Sequence, residues 1–173
     1  MAKQLARDGI VEQFDGGYQL RFERRINHSV EKVWVALTDP DRLIEWLAEA
    51  PEFDLVVGGE LELHWQNTDP DGNQAIAVGK ITALEAPTTI EYDTDIHGRI
   101  RWELEPVGTG CLLRLIVRHD LPNEYLTMAM AGWHIHIDFL EEALGNEAVD
   151  WPNWPVDRWE VLKDHYDAAV NVT

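Results

Sequence analysis

Residues 99–144 read RIRWELEPV-GTG-CLLRLIVRH-DLP-NEYLTMAMAGWHIHIDFLEEAL. Arg99 to Val107 and Cys111 to His119 place apolar side chains at every second position, and Gly108-Thr109-Gly110 between them is a tight-turn sequence. From Asn123 the spacing changes. Met130, Trp133, Ile137, Leu140 and Leu144 recur at intervals of three, four, three and four, an apolar stripe along a long helix that Gly145-Asn146 ends. An antiparallel hairpin followed directly by a long amphipathic helix predicts an α+β layer, with the helix covering one face of the sheet.

Upstream the same logic extends the sheet. Gly17 to Ile26 alternate as a strand, with Tyr18, Leu20, Phe22, Arg24 and Ile26 on one face. Ser29 suits a helix cap, Val30, Val33, Trp34 and Leu37 form a helical face, and Thr38-Asp39-Pro40 closes that helix and opens a second through Leu43, Trp46 and Leu47. Leu61, Leu63 and Trp65 mark the next strand, Asp69-Pro70-Asp71-Gly72 is a turn, and Gln74 to Leu84 and Thr88 to Ile96 are further strands. The expected fold is a curved antiparallel sheet of about six to seven strands wrapped around the long helix, with two short helices after the first strand. The domain is expected over residues 17–146. Residues 147–173 form a tryptophan-rich extension (Trp151, Trp154, Trp159) whose last helix begins near Pro155 and packs on the domain through Trp159, Leu162, Tyr166 and Ala169.

Composition narrows the function classes. Fourteen basic against 32 acidic side chains give a net charge of −18 in 173 residues, which argues against nucleic acid and anionic membranes as partners. The single cysteine, Cys111, allows no internal disulfide and lies on an apolar strand face as a small hydrophobe. Without an apolar run of about 18 residues or a signal-peptide core at the start, a cytoplasmic protein is expected.

The order of several short motifs resembles the helix-grip (SRPBCC) superfamily of START and birch-pollen-allergen proteins, and within it the homologues of the activator of the ninety-kilodalton heat-shock chaperone's ATPase. The motifs are Val33-Trp34, Leu37-Thr38-Asp39-Pro40 and Trp46; Val57-Gly58-Gly59-Glu60-Leu61; Gly79-Lys80-Ile81 and Pro87; and Gly132-Trp133-His134 leading to Ile137-Asp138-Phe139-Leu140. The resemblance implies a cavity between sheet and long helix that takes a small, largely apolar or aromatic molecule. It also implies, at most, cofactor-free proton transfer of a cyclase or hydrolase kind. A protein-interaction module of the co-chaperone type is the alternative.

Residue types point the same way. Ala75, Ala77 and Gly79 leave space on one strand face. Trp65, Trp102, Met130, Trp133 and Ile137 are expected as apolar walls, with Arg24 and His119, polar residues on apolar faces, as anchors. His64 and His97 fall on polar faces. His134 and His136 are about 200° apart on their helix, so they cannot share an ion, and His134 with Asp138 reads as a surface pair; no metal and no cofactor are called for. The tail tryptophans are read as docking on the body, with a homodimer surface as the alternative.

Overall fold

The structure, a computed structural model, describes residues 7–120 and 122–170. The chain begins with strands β1 (Ile10–Phe14) and β2 (Gly17–Ile26), followed by helices α1 (Val30–Thr38) and α2 (Pro40–Leu43). Six strands come next: β3 (Ala48–Phe53), β4 (Glu60–Trp65), β5 (Ile76–Glu85), β6 (Thr89–Thr94), β7 (Gly98–Val107) and β8 (Gly110–His119). Helix α3 (Leu126–Leu144) and helix α4 (Val156–Val170) complete it. The eight strands form one sheet in the order β1-β2-β8-β7-β6-β5-β4-β3, every neighbouring pair antiparallel. Consecutive strands are joined by hairpins, except that α1 and α2 carry the chain from β2 to the far edge strand β3. This is the expected helix-grip layer, an α+β fold.

The eight strands exceed the expected six to seven, and β1 and β3 are the ones that the alternation does not mark. β1 (IVEQF) and β3 (AEAPEF) are the two edges of the sheet, β1 with no buried residue and β3 with only Ala48 and Ala50 buried. Acidic residues and a proline suit an edge, where one side of the backbone is free, but they erase the apolar alternation of a central strand. The local signals elsewhere hold. The Ser29 hydroxyl accepts from Lys32 N–H at 3.2 Å, and the hairpin turns use glycines with positive φ at Gly16, Gly98 and Gly108. Gly79 is different: a Cβ there would lie 2.0 Å from the Asp93 carbonyl oxygen, so this glycine admits the neighbouring strand β6 rather than opening a cavity.

The core is a continuous apolar cluster between the sheet, α1, α2 and α3. Helix α3 is buried on more than one side. Its apolar stripe meets the core, while Ala131, Ile135 and Phe139 are covered from the other side, where α4 and the segment around Trp151 pack. The Trp151 indole donates to the Ile44 carbonyl at 2.6 Å and its ring meets Phe139 edge-on at 5.9 Å.

Candidate ligand pocket

The middle of the layer is filled. Trp46, Trp102, Trp133 and Trp65 form an edge-to-face chain with centroid separations of 5.6, 6.1 and 5.5 Å. The Trp102 indole donates to the Tyr92 hydroxyl at 3.0 Å and the Trp46 indole to the Ala36 carbonyl at 2.9 Å. Beyond Trp65 and Trp133 the packing stops, at the end of the sheet where β2 begins and β4 and β8 finish. A pocket of about 760 Å³ lies there.

Each wall has its own source. Tyr18, Trp65 and His119 come from strand ends, and Ile96 and His97 from the β6–β7 turn. Asn67, Asp69 and Ala75 belong to the loop between β4 and β5, where the Asp69 carboxylate accepts from the backbone N–H of Asp71 and Asn73, the turn its sequence predicts. Met128, Gly132, Trp133 and His136 come from one face of the first half of α3. Trp154, Val156, Trp159 and Glu160 of the tail close the remaining side.

Sequence and structure part company over several of the named residues. Trp65, Trp133 and His119 line the pocket; Arg24, Trp102, Met130 and Ile137 do not. Trp102 is one indole too deep. Met130 and Ile137 are buried, but lie roughly 100–160° around α3 from Gly132 and His136, on the face committed to the core. Arg24 leaves the pocket side altogether. Its guanidinium, 3% exposed, lies 3.4 Å from Glu141 and 3.7 Å from Asp138 on α3, where Arg7 also bonds both carboxylates at 2.9 and 2.8 Å. These carboxylates of α3 are its charged neighbours. Burial, and the neighbouring Arg7 charge, pull the Arg24 pKa down against those carboxylates.

The His134–Asp138 pair is not on the surface. His134 is 6% exposed, its Nε2 lies 3.6 Å from Asp138, and its Nδ1 is 2.6 Å from the Tyr166 hydroxyl of α4. Gly9 N–H donates to that hydroxyl at 2.9 Å; the neutral imidazole keeps its proton on Nε2, facing the acceptor-only Asp138 carboxylate, and its Nδ1 accepts from the Tyr166 hydroxyl. Burial lowers the His134 pKa and raises that of Tyr166. This clasp pins the tail that closes the pocket. Among the described residues no group of three or more His, Cys, Asp and Glu side chains is placed to hold a metal ion.

Sequence reading missed His97 and His136. His97 lies in the turn after β6, where strand alternation no longer applies, and its ring meets Trp65 at 4.7 Å. His136 meets Trp65 from another side at 5.2 Å and its Nδ1–H donates to the Gly132 carbonyl at 2.7 Å. Burial lowers both pKa values to about 4, so both rings are neutral at pH 7. His119 donates from Nε2 to the Ile96 carbonyl at 2.9 Å, tying two pocket walls together.

Seven buried side-chain polar atoms among the described residues have no hydrogen-bond partner within the protein, and five sit on residues that line this pocket. They are the Tyr18 hydroxyl, Trp65 Nε1, Asn67 Oδ1, His97 Nε2 and His136 Nε2. Leaving such a group unpaired costs about 1–3 kcal/mol, and native proteins leave few.

The architecture has known counterparts. CalU16 from Micromonospora echinospora superposes with a TM-score of 0.70 at 23% identity, over 94% of this chain and 95% of that one. The Q3J4M4_RHOS4 protein from Rhodobacter sphaeroides gives 0.65 at 21% identity, over 80% and 99% of the two chains. DynU16, from the dynemicin biosynthetic locus, gives 0.65 at 17% identity over 75% of this chain and 48% of its own. No curated protein sequence matches. The profile of the family described as activator of Hsp90 ATPase homolog 1-like protein matches residues 27–145, from the end of β2 through α3, and on that match the chain belongs to this family.

Proposed function

We propose that the protein binds a small, largely apolar, flat aromatic molecule in the pocket between the sheet end, α3 and the tail. The observation that carries this reading is an aromatic-walled void of about 760 Å³ with Asn67, His97, His119 and His136 among its lining residues. Small-molecule sites take this form, roughly 300–1,000 Å³ of apolar surface with a few polar groups that fix orientation. Trp65, Trp133, Trp154 and Trp159 supply flat faces. The family's fold, and a neighbour from a biosynthetic locus, are in keeping with it.

Binding comes before chemistry here. A neutral imidazole with a pKa near 4 accepts hydrogen bonds well but is a weak general base at pH 7. Any proton transfer would use His97, His136 and the Tyr18 hydroxyl and no cofactor.

Gly132 provides the test. It faces the pocket from α3, and a Cβ there meets no atom within 4 Å. Gly132→Leu therefore projects a side chain into the void while improving helix propensity by roughly 0.8–1 kcal/mol. Calorimetric titration with neutral bicyclic aromatics should show saturable binding to the wild type, weakened about tenfold or more in a Gly132→Leu protein that unfolds no earlier. Equal affinity in the two folded proteins would move the site elsewhere.

A further inference from the structure

The charges around the pocket all have one sign. No Lys or Arg is among the residues that line it. Its three histidines, His97, His119 and His136, have pKa values lowered by burial, so none brings a positive charge at pH 7. Two carboxylates complete the lining, and they are held differently. Asp69 is taken up by its own turn: it accepts from Asn73 N–H at 2.8 Å, from the Asn73 amide at 3.1 Å and from Asp71 N–H at 2.9 Å, bonds that favour its charged form.

Glu160 is the free one. Val156, Trp159 and Glu160 line the pocket together because positions i, i+3 and i+4 share one face of a helix, here the start of α4. Among the described residues the Glu160 carboxylate has no hydrogen bond and no ion pair. The basic residues nearest it on α4 are already engaged, Arg158 with Glu142 and Lys163 with Asp167, each at 2.7 Å. An anionic ring compound entering the pocket gives up part of its hydration, meets no counter-charge and shares the void with this carboxylate. An uncharged ring meets the indoles at no such cost, and an ammonium group gains from the carboxylate and from the aromatic faces.

We propose that Glu160 makes the pocket selective by charge, admitting uncharged and amine-bearing aromatics and excluding carboxylated ones. This rests on the binding reading above. Three probes on one ring system test it, each titrated calorimetrically into the full chain at neutral pH: 2-naphthol, 2-naphthoate and 2-naphthylmethylammonium. 2-Naphthoate should bind about tenfold or more weakly than each of the others. Glu160→Lys, a change at an exposed position, should raise the affinity for 2-naphthoate relative to 2-naphthol about fivefold or more. Glu52→Lys makes the same change of charge on the edge strand β3, outside the pocket's lining, and should not. If 2-naphthoate matches either of the other probes in the wild type, or if Glu160→Lys favours it no more than Glu52→Lys does, the assignment to Glu160 is wrong while the pocket stands. If none of the three binds, the binding reading fails and this inference with it.

Discussion

Burial strips three histidines of their charge, and each then joins elements through a neutral nitrogen or lines the pocket with one. His134 links α3 to Tyr166 of the tail, His136 bonds within α3 beside Trp65, and His97 meets Trp65 from the β6–β7 turn. All three have pKa values of about 4 in the fold against an ordinary 6.5. A lowered folded pKa means that the unfolded chain binds more protons between the two values. Stability is then full above about pH 6.5 and is lost as the pH falls towards 4, by at most about 1.4 kcal/mol per pH unit for each histidine. Urea unfolding at a series of pH values should show this fall, and His134→Asn, which keeps an acceptor near Tyr166 but does not titrate there, should show a shallower one. Identical slopes would mean that His134 is not held neutral. The sequence revealed the polar types but not this fate: His134 and His136 point about 200° apart, and only a helix covered on more than one side buries both.

Among the elements, α3 and α4 explain both the successes and the misses of the sequence reading. The stripe Met130, Trp133, Ile137, Leu140 and Leu144 was legible because it faces the core. The second buried set, Ala131, Ile135 and Phe139, was hidden in plain alternation with it, since periodicity shows one apolar face well and two poorly. The central strands were legible for the same reason that the edges β1 and β3 were not: edges need few apolar residues and tolerate proline and charge. The site follows the same logic: Trp102 alternates inward but sits among chained indoles that fill the centre, and Arg24 lies beside Asp138 and Glu141 of α3, contacts between distant segments that alternation along one strand does not show. The tail contributes both closure and cover. Ending the chain after Asn146 removes Trp154, Val156 and Trp159 from the pocket and uncovers Ile135 and Phe139, so the shortened protein should unfold at lower temperature and bind neutral aromatics about tenfold more weakly or worse. Unchanged affinity after truncation would show that the tail is not a wall.

Over the molecule as a whole, the acidic excess is carried on the surface while the pocket is aromatic and free of cationic side chains. No described helix is long and apolar enough to cross a membrane. The outer face of the sheet is laced with ion pairs, such as Arg114 with Glu23 and Glu105 and Arg101 with Glu91 and Glu103, each worth little on its own in water. Its inner face and α3 hold Trp65, Trp102 and Trp133. Spatial separation of charge outside and flat apolar surface inside leaves the opening at the sheet end as a place where a molecule can exchange water for ring contacts. The indole N–H signals of the tryptophans give the most direct view of that opening. In a nitrogen-15 NMR titration of the full chain with 2-naphthol, the Trp65 resonance should shift progressively and saturate, while those of Trp46 and Trp102, bonded to Ala36 and Tyr92 in the filled interior, stay in place. A titration that leaves Trp65 unmoved, or that moves Trp46 and Trp102 instead, would contradict the account.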